Sequence, residues 1–366
     1  SGGTHEIYSG EGDDVVTASG GASNVDIRVL NGGIGSDTLR IISTGNVTLP
    51  TSTGFENIFI SDTVHQSLDF SLSSSVDQIE LDSGTTIDGD IITITLANGQ
   101  TLLLDSILDG DTSAASINDG GIRISQDASI TSLELELDDV GPSSSVANEN
   151  VFIDIAGPNV ASAKITSGND SFVVISNSGG ALTGLELLGT GTMALGTLPN
   201  SVTNVNGTAA SANLTLTIGS GSNTIRGGIG NDAITLTGGV NDVQTGDGDD
   251  TITLGGNRYW GLDHEAWNVS SEGIRHYKIP IDGKAKHEYV IQGGSGEDTL
   301  NLSLGLVSEV FFRHDAISGS FNEENKLNRV DLIETINAGD GHDIIDMTTP
   351  HSNINYSLKI FWKEKI

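Results

Sequence analysis

Acidic residues recur within glycine-rich phrases, and residues 227–253 contain two near-copies of one phrase, GGIGNDAIT and TGDGDDTIT, eighteen residues apart. Glycines allow tight turns with positive φ and expose backbone carbonyl oxygens. An aspartate in such a turn adds a carboxylate. Carboxylate and carbonyl oxygens are the ligands that a hard cation such as Ca²⁺ prefers, at about 6–8 per ion. This stretch therefore indicates cation binding.

The repeat continues on both sides of this phrase in a fixed register. Four consecutive nonads follow the pattern G-G-x-G-x-D-x-U-x, in which U is a large apolar residue, without a residue left over: 218–226, 227–235, 236–244 and 245–253. The apolar residue begins a short strand and faces inward. Two nonads complete one coil, so positions eighteen residues apart stack on the same side.

This register predicts which side chains lie above one another. We expect Asp232 to stack with Asp250, where two carboxylates repel each other unless a cation lies between them. On the opposite side Asn223 stacks with Asn241, and Asp242 lies beside them. That side lacks paired charges, so we expect a weak site or none there.

The nonads resemble the calcium-binding β-roll repeats of the RTX (repeats-in-toxin) proteins. In that family one turn supplies the carbonyls of its second and fourth positions and its Asp, while the next coil supplies the carbonyls of its first and third positions and its Asp. The resemblance implies a parallel β-roll with Ca²⁺ as its cofactor. The calcium ligands it implies in this chain are Gly228, Gly230, Asp232, Thr245, Asp247 and Asp250.

The same phrase occurs singly elsewhere and offers four more candidate ligands, Asp14, Asp37, Asp298 and Asp343. Asp14 and Asp37 are 23 residues apart, so we expect residues 21–25 to bulge out of the coil. Asp298 and Asp343 are 45 apart, so other structure must intervene between them. The alternative for each is an ordinary turn, which Gly and Asp favour without any metal.

The rest of the chain supplies the elements that must position these turns. Short β-branched runs such as VDIRVL, IITITL and LTLTI recur, separated by turn residues at nearly regular intervals. We expect an all-β fold in which parallel β-roll coils combine with antiparallel sheet or sandwich segments, with little helix. Asn98-Gly99, between two apolar runs, predicts a β-hairpin over residues 91–104.

Composition predicts three domains. A polar stretch containing Pro and Ser lies at 138–150, and all three tryptophans and most basic residues lie after residue 257. We expect a β-rich module with two Gly-Asp turns, a solenoid that ends in the four-nonad roll, and a module in which Gly-Asp turns flank an aromatic insert. Their bounds are 1–140, 141–257 and 258–366.

Charge and composition exclude several classes of function. The formal net charge is −33, which excludes a general nucleic-acid binder and argues against docking on an anionic membrane. Apolar runs are too short for membrane insertion. The chain has no cysteine, so disulfides cannot provide rigidity. Bound cations would relieve the self-repulsion of this charge, although a salt-tolerant surface is an equally simple reading.

The aromatic insert is a separate candidate site. Aromatic residues in an insertion on a rigid scaffold are suited to bind a sugar or peptide. The simpler alternative is that they form the small core of the insert itself. The candidates are Tyr259, Trp260, Trp267, His276 and Tyr277.

We expect no catalytic activity. Three HE pairs lack the second histidine of the HExxH zinc motif, the G-x-S-x-G elbow is absent, and the lack of cysteine excludes thiol chemistry. Acid pairs within glycine-rich turns are typical of cation ligands rather than general acids.

The recurrent phrasing over most of the chain resembles large secreted bacterial RTX adhesins and surface-layer proteins. The resemblance implies a secreted or cell-surface protein, exported by a type I system, that folds when it meets calcium outside the cell. We interpret the chain as a fragment of such a protein with a structural or adhesive role. The partners implied are calcium ions, and a cell-surface glycan, a peptide or copies of itself. The alternatives are a self-assembling surface-layer subunit and the accessory β-roll of a secreted enzyme.

Overall fold

The computed structural model of this chain describes residues 5–20, 27–43, 47–48, 52–61, 67–73, 75–81, 86–87, 91–109, 121–141, 151–219, 222–237, 240–254, 267–269, 275–277, 289–295, 297–302, 309–310, 329–331, 335–337, 344–345 and 359–361. Every regular element among these residues is a β-strand, which confirms the all-β prediction. The described residues contain no helix with the length and apolar character of a membrane span.

The strands, numbered in chain order, are β1 (His5–Tyr8), β2 (Val15–Gly20), β3 (Ile27–Asn31), β4 (Thr38–Ser43), β5 (Val47–Thr48), β6 (Ser52–Thr53), β7 (Asn57–Ser61), β8 (Ser67–Asp69), β9 (Gln78–Leu81), β10 (Thr86–Ile87), β11 (Ile91–Leu96), β12 (Thr101–Asp105), β13 (Leu108–Asp109), β14 (Gly121–Gln126), β15 (Ser132–Asp138), β16 (Val151–Ile155), β17 (Ser162–Ser167), β18 (Ser171–Ser176), β19 (Gly184–Gly189), β20 (Met193–Thr197), β21 (Asn204–Ala210), β22 (Leu214–Ile218), β23 (Ser222–Arg226), β24 (Ala233–Leu236), β25 (Val240–Asp247), β26 (Thr251–Leu254), β27 (Trp267–Val269), β28 (Arg275–Tyr277), β29 (Tyr289–Ser295), β30 (Thr299–Leu302), β31 (Glu309–Val310), β32 (Arg329–Asp331), β33 (Thr335–Asn337), β34 (Ile344–Ile345) and β35 (Lys359–Phe361).

The chain forms two compact units, Ser1–Leu216 and Thr217–Ile366. In the first unit, most strands belong to two sheets of parallel strands, in the orders β2-β4-β7-β9-β12-β15-β17-β19-β21 and β20-β18-β16-β14-β11-β8-β5. From β14 to β21, consecutive strands alternate between the two sheets. Each coil therefore adds one strand to each sheet, which is the architecture of a parallel β-solenoid.

Side-chain alternation explains why these segments form strands with one face inward. In β17 and β18, every second residue is buried, as the period of two along a strand requires. In-register parallel pairing then places apolar residues of successive coils in rows between the sheets. One row contains Leu135, Ile165 and Leu187, and a row in the facing sheet contains Ile122, Ile153 and Ile175. Each such buried side chain contributes about 2 kcal/mol of hydrophobic stabilisation.

The second unit repeats this pattern over the nonads. One sheet has the order β23-β25-β29-β32, and the other has the order β24-β26-β30-β33-β35. The pairs β23/β25 and β24/β26 are both parallel with a shift of eighteen residues, which confirms the predicted coil length. Ile234 and Ile252, the apolar residues of two nonads, are buried as predicted.

The predicted hairpin over residues 91–104 is wrong. β11 pairs in parallel with β8 and β14, whereas β12 pairs in parallel with β9 and β15. Gly99 does adopt positive φ, at 84°, but the turn is a corner between two sheets rather than a link between paired strands. Gln100 closes this corner by accepting a hydrogen bond from Ala97 N–H at 2.7 Å and donating one to the Ser73 carbonyl at 2.8 Å.

Antiparallel pairing is confined, within the described residues, to the short pair β27/β28. The expected antiparallel sheet or sandwich segments are therefore not found in this part of the chain. The three-domain division stays a prediction.

Candidate calcium site

The Gly-Asp turns of the second unit stack their aspartates in a ladder. The backbone N–H of Asp232 donates to Asp250 Oδ1 at 2.7 Å, and the N–H of Asp250 donates to Asp298 Oδ1 at 2.9 Å. All three aspartates are at most 1% exposed. Asp250 and Asp298 thus each cap the turn of the preceding coil from inside the structure, and the predicted stacking of Asp232 with Asp250 is confirmed.

Asp298 belongs to this ladder although its phrase is 48 residues beyond Asp250. β26 pairs in parallel with β30, and Thr251 lies beside Thr299, so the strand that follows Asp298 continues the sheet directly after the strand that follows Asp250. Spacing alone does not show this, because the insert breaks the period of eighteen. Asp343, another predicted calcium ligand, lies outside the described residues.

A second ladder runs through the residue that precedes each aspartate. The side-chain oxygen of Asn231 accepts a hydrogen bond from Asp249 N–H at 2.9 Å, and Asp249 Oδ1 accepts one from Glu297 N–H at 2.9 Å. These bonds run in the opposite direction along the coils and are exposed. The fifth position of the nonad therefore also holds successive turns together, which sequence reasoning missed.

Glycines let successive turns approach through their backbones. A Cβ atom on Gly246 would lie 2.1 Å from the carbonyl oxygen of Gly228, and one on Gly248 would lie 2.4 Å from that of Gly230. Both glycines adopt positive φ, at 107° and 128°. The two carbonyls predicted as ligands thus lie against the next coil, where only glycine fits. The Gly228 carbonyl also accepts a hydrogen bond from Asp247 N–H at 3.0 Å.

Two oxygens of different coils converge beside Gly227. A Cβ on this glycine would lie 2.0 Å from the carbonyl oxygen of Thr245 and 2.3 Å from Asp232 Oδ2. The backbone N–H of Gly228 donates to the same Oδ2 at 3.1 Å. A carbonyl and a carboxylate, both predicted ligands, are therefore brought to one place by the close stacking of coils.

The carboxylate of Asp250 is buried, and the described charges that act on it are negative. Its Oδ2 atom has no hydrogen-bond partner. Burial raises the pKa of Asp250 above its ordinary value of 3.8, against the hydrogen bonds from Asp232 N–H and the Thr245 hydroxyl, and the charges of Asp249 and Asp247 raise it further. A divalent cation would satisfy this oxygen and offset the repulsion, so the residues present fit calcium.

The first unit contains the same arrangement in an independent stretch of sequence. The N–H of Asp14 donates to Asp37 Oδ1 at 2.8 Å, and the N–H of Ser36 donates to Asp13 Oδ1 at 2.9 Å. A Cβ on Gly35 would lie 2.2 Å from the Gly12 carbonyl oxygen. β2 pairs with β4 at a shift of 23 residues, so these turns stack despite the longer coil. The predicted bulge at 21–25 lies outside the described residues.

The opposite side of the nonad coils is neutral in its interior. The buried amide of Asn223 donates to Asn241 Oδ1 at 2.7 Å, as the predicted stacking requires. Arg226 forms an ion pair with Asp242, with Nη1 3.1 Å from Oδ1. These groups satisfy one another, so nothing on this side calls for a cation.

The candidate ligand-binding insert is described only in part. Tyr259 and Trp260 lie outside the described residues. Trp267 is in β27, and His276 and Tyr277 are in β28, where Trp267 lies opposite Tyr277. Sugar or peptide binding by these residues stays a prediction.

Among the residues that the structure describes, no three His, Asp or Glu side chains converge on one point. The candidate site instead combines two carboxylates with backbone carbonyls. No protein-family model matches the chain, and neither the curated proteins nor the solved structures include a significant match.

Proposed function

We propose that the chain is a calcium-stabilised structural or adhesive segment of a secreted bacterial surface protein. In this proposal, calcium binds between the stacked Gly-Asp turns, through Asp232 and Asp250 together with the carbonyls of Gly228, Gly230, Thr245 and Asp247. The proposal rests on the turn geometry and on the RTX-like nonads.

The observation that carries it is the buried, unpaired Oδ2 of Asp250. An isolated buried carboxylate is costly unless it is protonated, paired or coordinated to a metal. The charged side chains that shift the pKa of Asp250 are Asp249 and Asp247, which are both acidic, so these described neighbours provide no compensating positive charge. The Oδ2 atoms of Asp14 and Asp37 are also buried and unpaired in the first unit.

This arrangement makes folding depend on the calcium concentration of the surrounding solution. When calcium is scarce, ionised Asp250 opposes closure of its coil, because folding removes the carboxylate from water. When calcium is bound, it neutralises this charge, and binding free energy adds to folding free energy. A site with Kd of about 10⁻⁴–10⁻³ M would fill outside the cell and remain empty inside it. The coils would then become rigid only after export.

Calcium titration of the whole chain tests the proposal. The double variant Asp232→Asn/Asp250→Asn removes two negative charges. Each asparagine still has an amide oxygen that can accept the ladder hydrogen bond. Isothermal titration calorimetry should show that this variant binds at least one calcium ion fewer per chain than wild type.

Asp170→Asn is the matched control. Asp170 is an exposed turn aspartate whose Oδ1 accepts a hydrogen bond from Thr192 N–H at 2.9 Å, and an amide oxygen can keep that bond. It removes charge without touching the ladder, so its calcium binding should match wild type. Unchanged stoichiometry and affinity in the double variant would contradict the proposal.

A further inference from the structure

The Gly-Asp turns of the first unit are followed by a coil that lacks the nonad phrase but occupies the same place. β4 pairs with β7, and Thr38 lies beside Asn57. Glu56 therefore stands next to Asp37, in the position that an aspartate would take. The backbone N–H of Asp37 donates to Glu56 Oε2 at 2.8 Å. This bond is the counterpart of the one from Asp232 to Asp250.

The same coil also supplies a counterpart of the Thr245 carbonyl. A Cβ on Gly32 would lie 1.9 Å from the carbonyl oxygen of Gly54 and 2.7 Å from Asp37 Oδ2. In the second unit, the equivalent point beside Gly227 lies near the Thr245 carbonyl oxygen and Asp232 Oδ2. The carbonyl and carboxylate thus converge in both units.

The turn that brings these groups together is shorter than a nonad turn. Only two sequence positions separate Gly54 from Glu56, whereas five separate Thr245 from Asp250. Glutamate has one methylene more than aspartate, and this extra length allows a carboxylate to reach the ladder from the shorter turn. The phrase GFE therefore carries no trace of the nonad pattern, and the sequence alone does not reveal its role.

A buried carboxylate oxygen without a hydrogen-bond partner lies beside Gly32. Asp37 is completely buried, and its Oδ2 atom has no hydrogen-bond partner. Its other oxygen already accepts the hydrogen bond from Asp14 N–H. The Oδ2 atom and the Gly54 carbonyl both face the space beside Gly32, while Glu56 brings a second negative charge.

We propose that Asp37, Glu56 and the Gly54 carbonyl form a further calcium site, in addition to the nonad site. This inference rests on the proposed function, since it assigns the same ion to a turn pair of different sequence. Two carboxylates and a carbonyl provide the oxygen donors that calcium selects, and water supplies the rest of its shell. The alternative is that Glu56 only accepts a hydrogen bond and ends the ladder.

Glu56→Gln separates these two roles, because the amide oxygen can still accept the Asp37 N–H while the charge is lost. In calorimetric titrations of the full chain with CaCl₂, this variant should bind one calcium ion fewer, or bind it about tenfold or more weakly. Asp250→Asn should weaken a different site, and the two losses should add in the double variant. Glu186→Gln, which removes an exposed glutamate of β19, is the control and should bind as wild type.

The outcomes distinguish this inference from the function on which it rests. If Asp250→Asn loses calcium and Glu56→Gln does not, the Glu56 site is wrong and the nonad site stands. If neither variant loses calcium, both proposals are wrong.

A measurement on wild type covers the case in which the variant fails to fold. Hydrogen exchange at the N–H groups of Glu56 and Asn57, which both donate to the Asp37 carbonyl at 3.2 Å, should slow when calcium is added. Unchanged exchange at these groups, with slower exchange at residues 227–254, would overturn the site.

Discussion

Two buried aspartates, Asp154 in the first unit and Asp250 in the second, have the same 1% exposure and opposite electrostatics. Burial alone would raise the pKa of Asp154, but hydrogen bonds from Ser178, Arg123 and Ser176 lower it overall. The pKa of Asp250 is raised, because burial and neighbouring carboxylates outweigh its two hydrogen bonds. The difference is that Asp154 has a cation from its own chain, 2.9 Å away on Arg123. The described charges that shift the pKa of Asp250 are those of Asp249 and Asp247, which are both negative.

The same contrast extends to the turns of the two regions. Ser171 stands where a ladder aspartate would stand, and its hydroxyl accepts a hydrogen bond from Val140 N–H at 3.3 Å. The turns at the opposite ends of these strands contain buried apolar residues, including Val160, Leu182 and Val202. Among residues 151–211, all of which the structure describes, no buried side-chain oxygen lacks a partner. At the corresponding position, the turns thus hold a buried hydroxyl in one region and a buried carboxylate in the other, and we propose that only the carboxylate turns bind calcium.

The largest expected effect concerns the close backbone contact of the Gly-Asp coils. Gly246→Ala places a Cβ against the Gly228 carbonyl and strains a positive φ, so we expect a loss of about 3 kcal/mol or more in unfolding free energy. Gly180→Ala is the matched control, since Gly180 also has positive φ, at 79°, but nothing lies within 4 Å of the added atom. Gly180→Ala should lower the unfolding free energy by about 1 kcal/mol. Urea unfolding in calcium measures both, and equal losses would mean that the coils are not closely stacked.

The next effect tests the internal cation. Arg123→Met keeps the aliphatic stem but removes the guanidinium, which should destabilise the chain by about 2 kcal/mol because a buried carboxylate loses a charged hydrogen bond. Calcium should not restore this stability. Lys164→Met, which breaks an exposed ion pair of 3.6 Å with Glu134, should cost less than about 0.5 kcal/mol. Rescue of Arg123→Met by calcium in urea unfolding would contradict the distinction between the two regions.

The stability of the fold should change with pH in opposite directions around Asp250 and around Asp154. A folded-state pKa above the ordinary 3.8 means that protonation favours the fold, so in EGTA the coil of Asp250 should gain stability as pH falls from 7 through its raised pKa. Asp154 has a lowered pKa, so its contribution is present above 3.8 and is lost as pH falls through the lower folded value.

Hydrogen exchange at a series of pH values reads the two regions separately. Asp250→Asn should abolish the increase in stability that residues 240–254 show when pH falls in EGTA. A wild-type coil that loses stability on mild acidification in EGTA would show that its carboxylate is already compensated.

The smallest effect is expected at Asp170, which lies in the exposed turn between β17 and β18. Its side chain is exposed and accepts one hydrogen bond that asparagine can also accept. Asp170→Asn should therefore change the unfolding free energy by less than about 0.5 kcal/mol, with or without calcium. A calcium-dependent change in urea unfolding would mean that calcium also acts on the neutral coils of the first unit.

Local periodicity predicted the nonad coils well, because eighteen residues separate Asp232 from Asp250 without interruption. Strand pairing over longer distances was not predictable in this way. Asn98-Gly99 favours a reversal of the chain, but the sequence does not show whether the next strand returns to the same sheet. Asp298 joins the ladder of the second unit after an insert of unrelated sequence, and Glu56 joins the ladder of the first unit through a longer side chain. Both depend on which coils become neighbours in space.

The central claim is that calcium stabilises the Gly-Asp coils and not the neutral ones. Hydrogen exchange of the whole chain, in EGTA and in millimolar calcium, tests this most directly because it compares both regions in one molecule. We predict slower exchange in calcium at residues 9–40 and 227–254, and unchanged exchange at residues 151–211. Identical exchange in both conditions throughout the chain would contradict the claim.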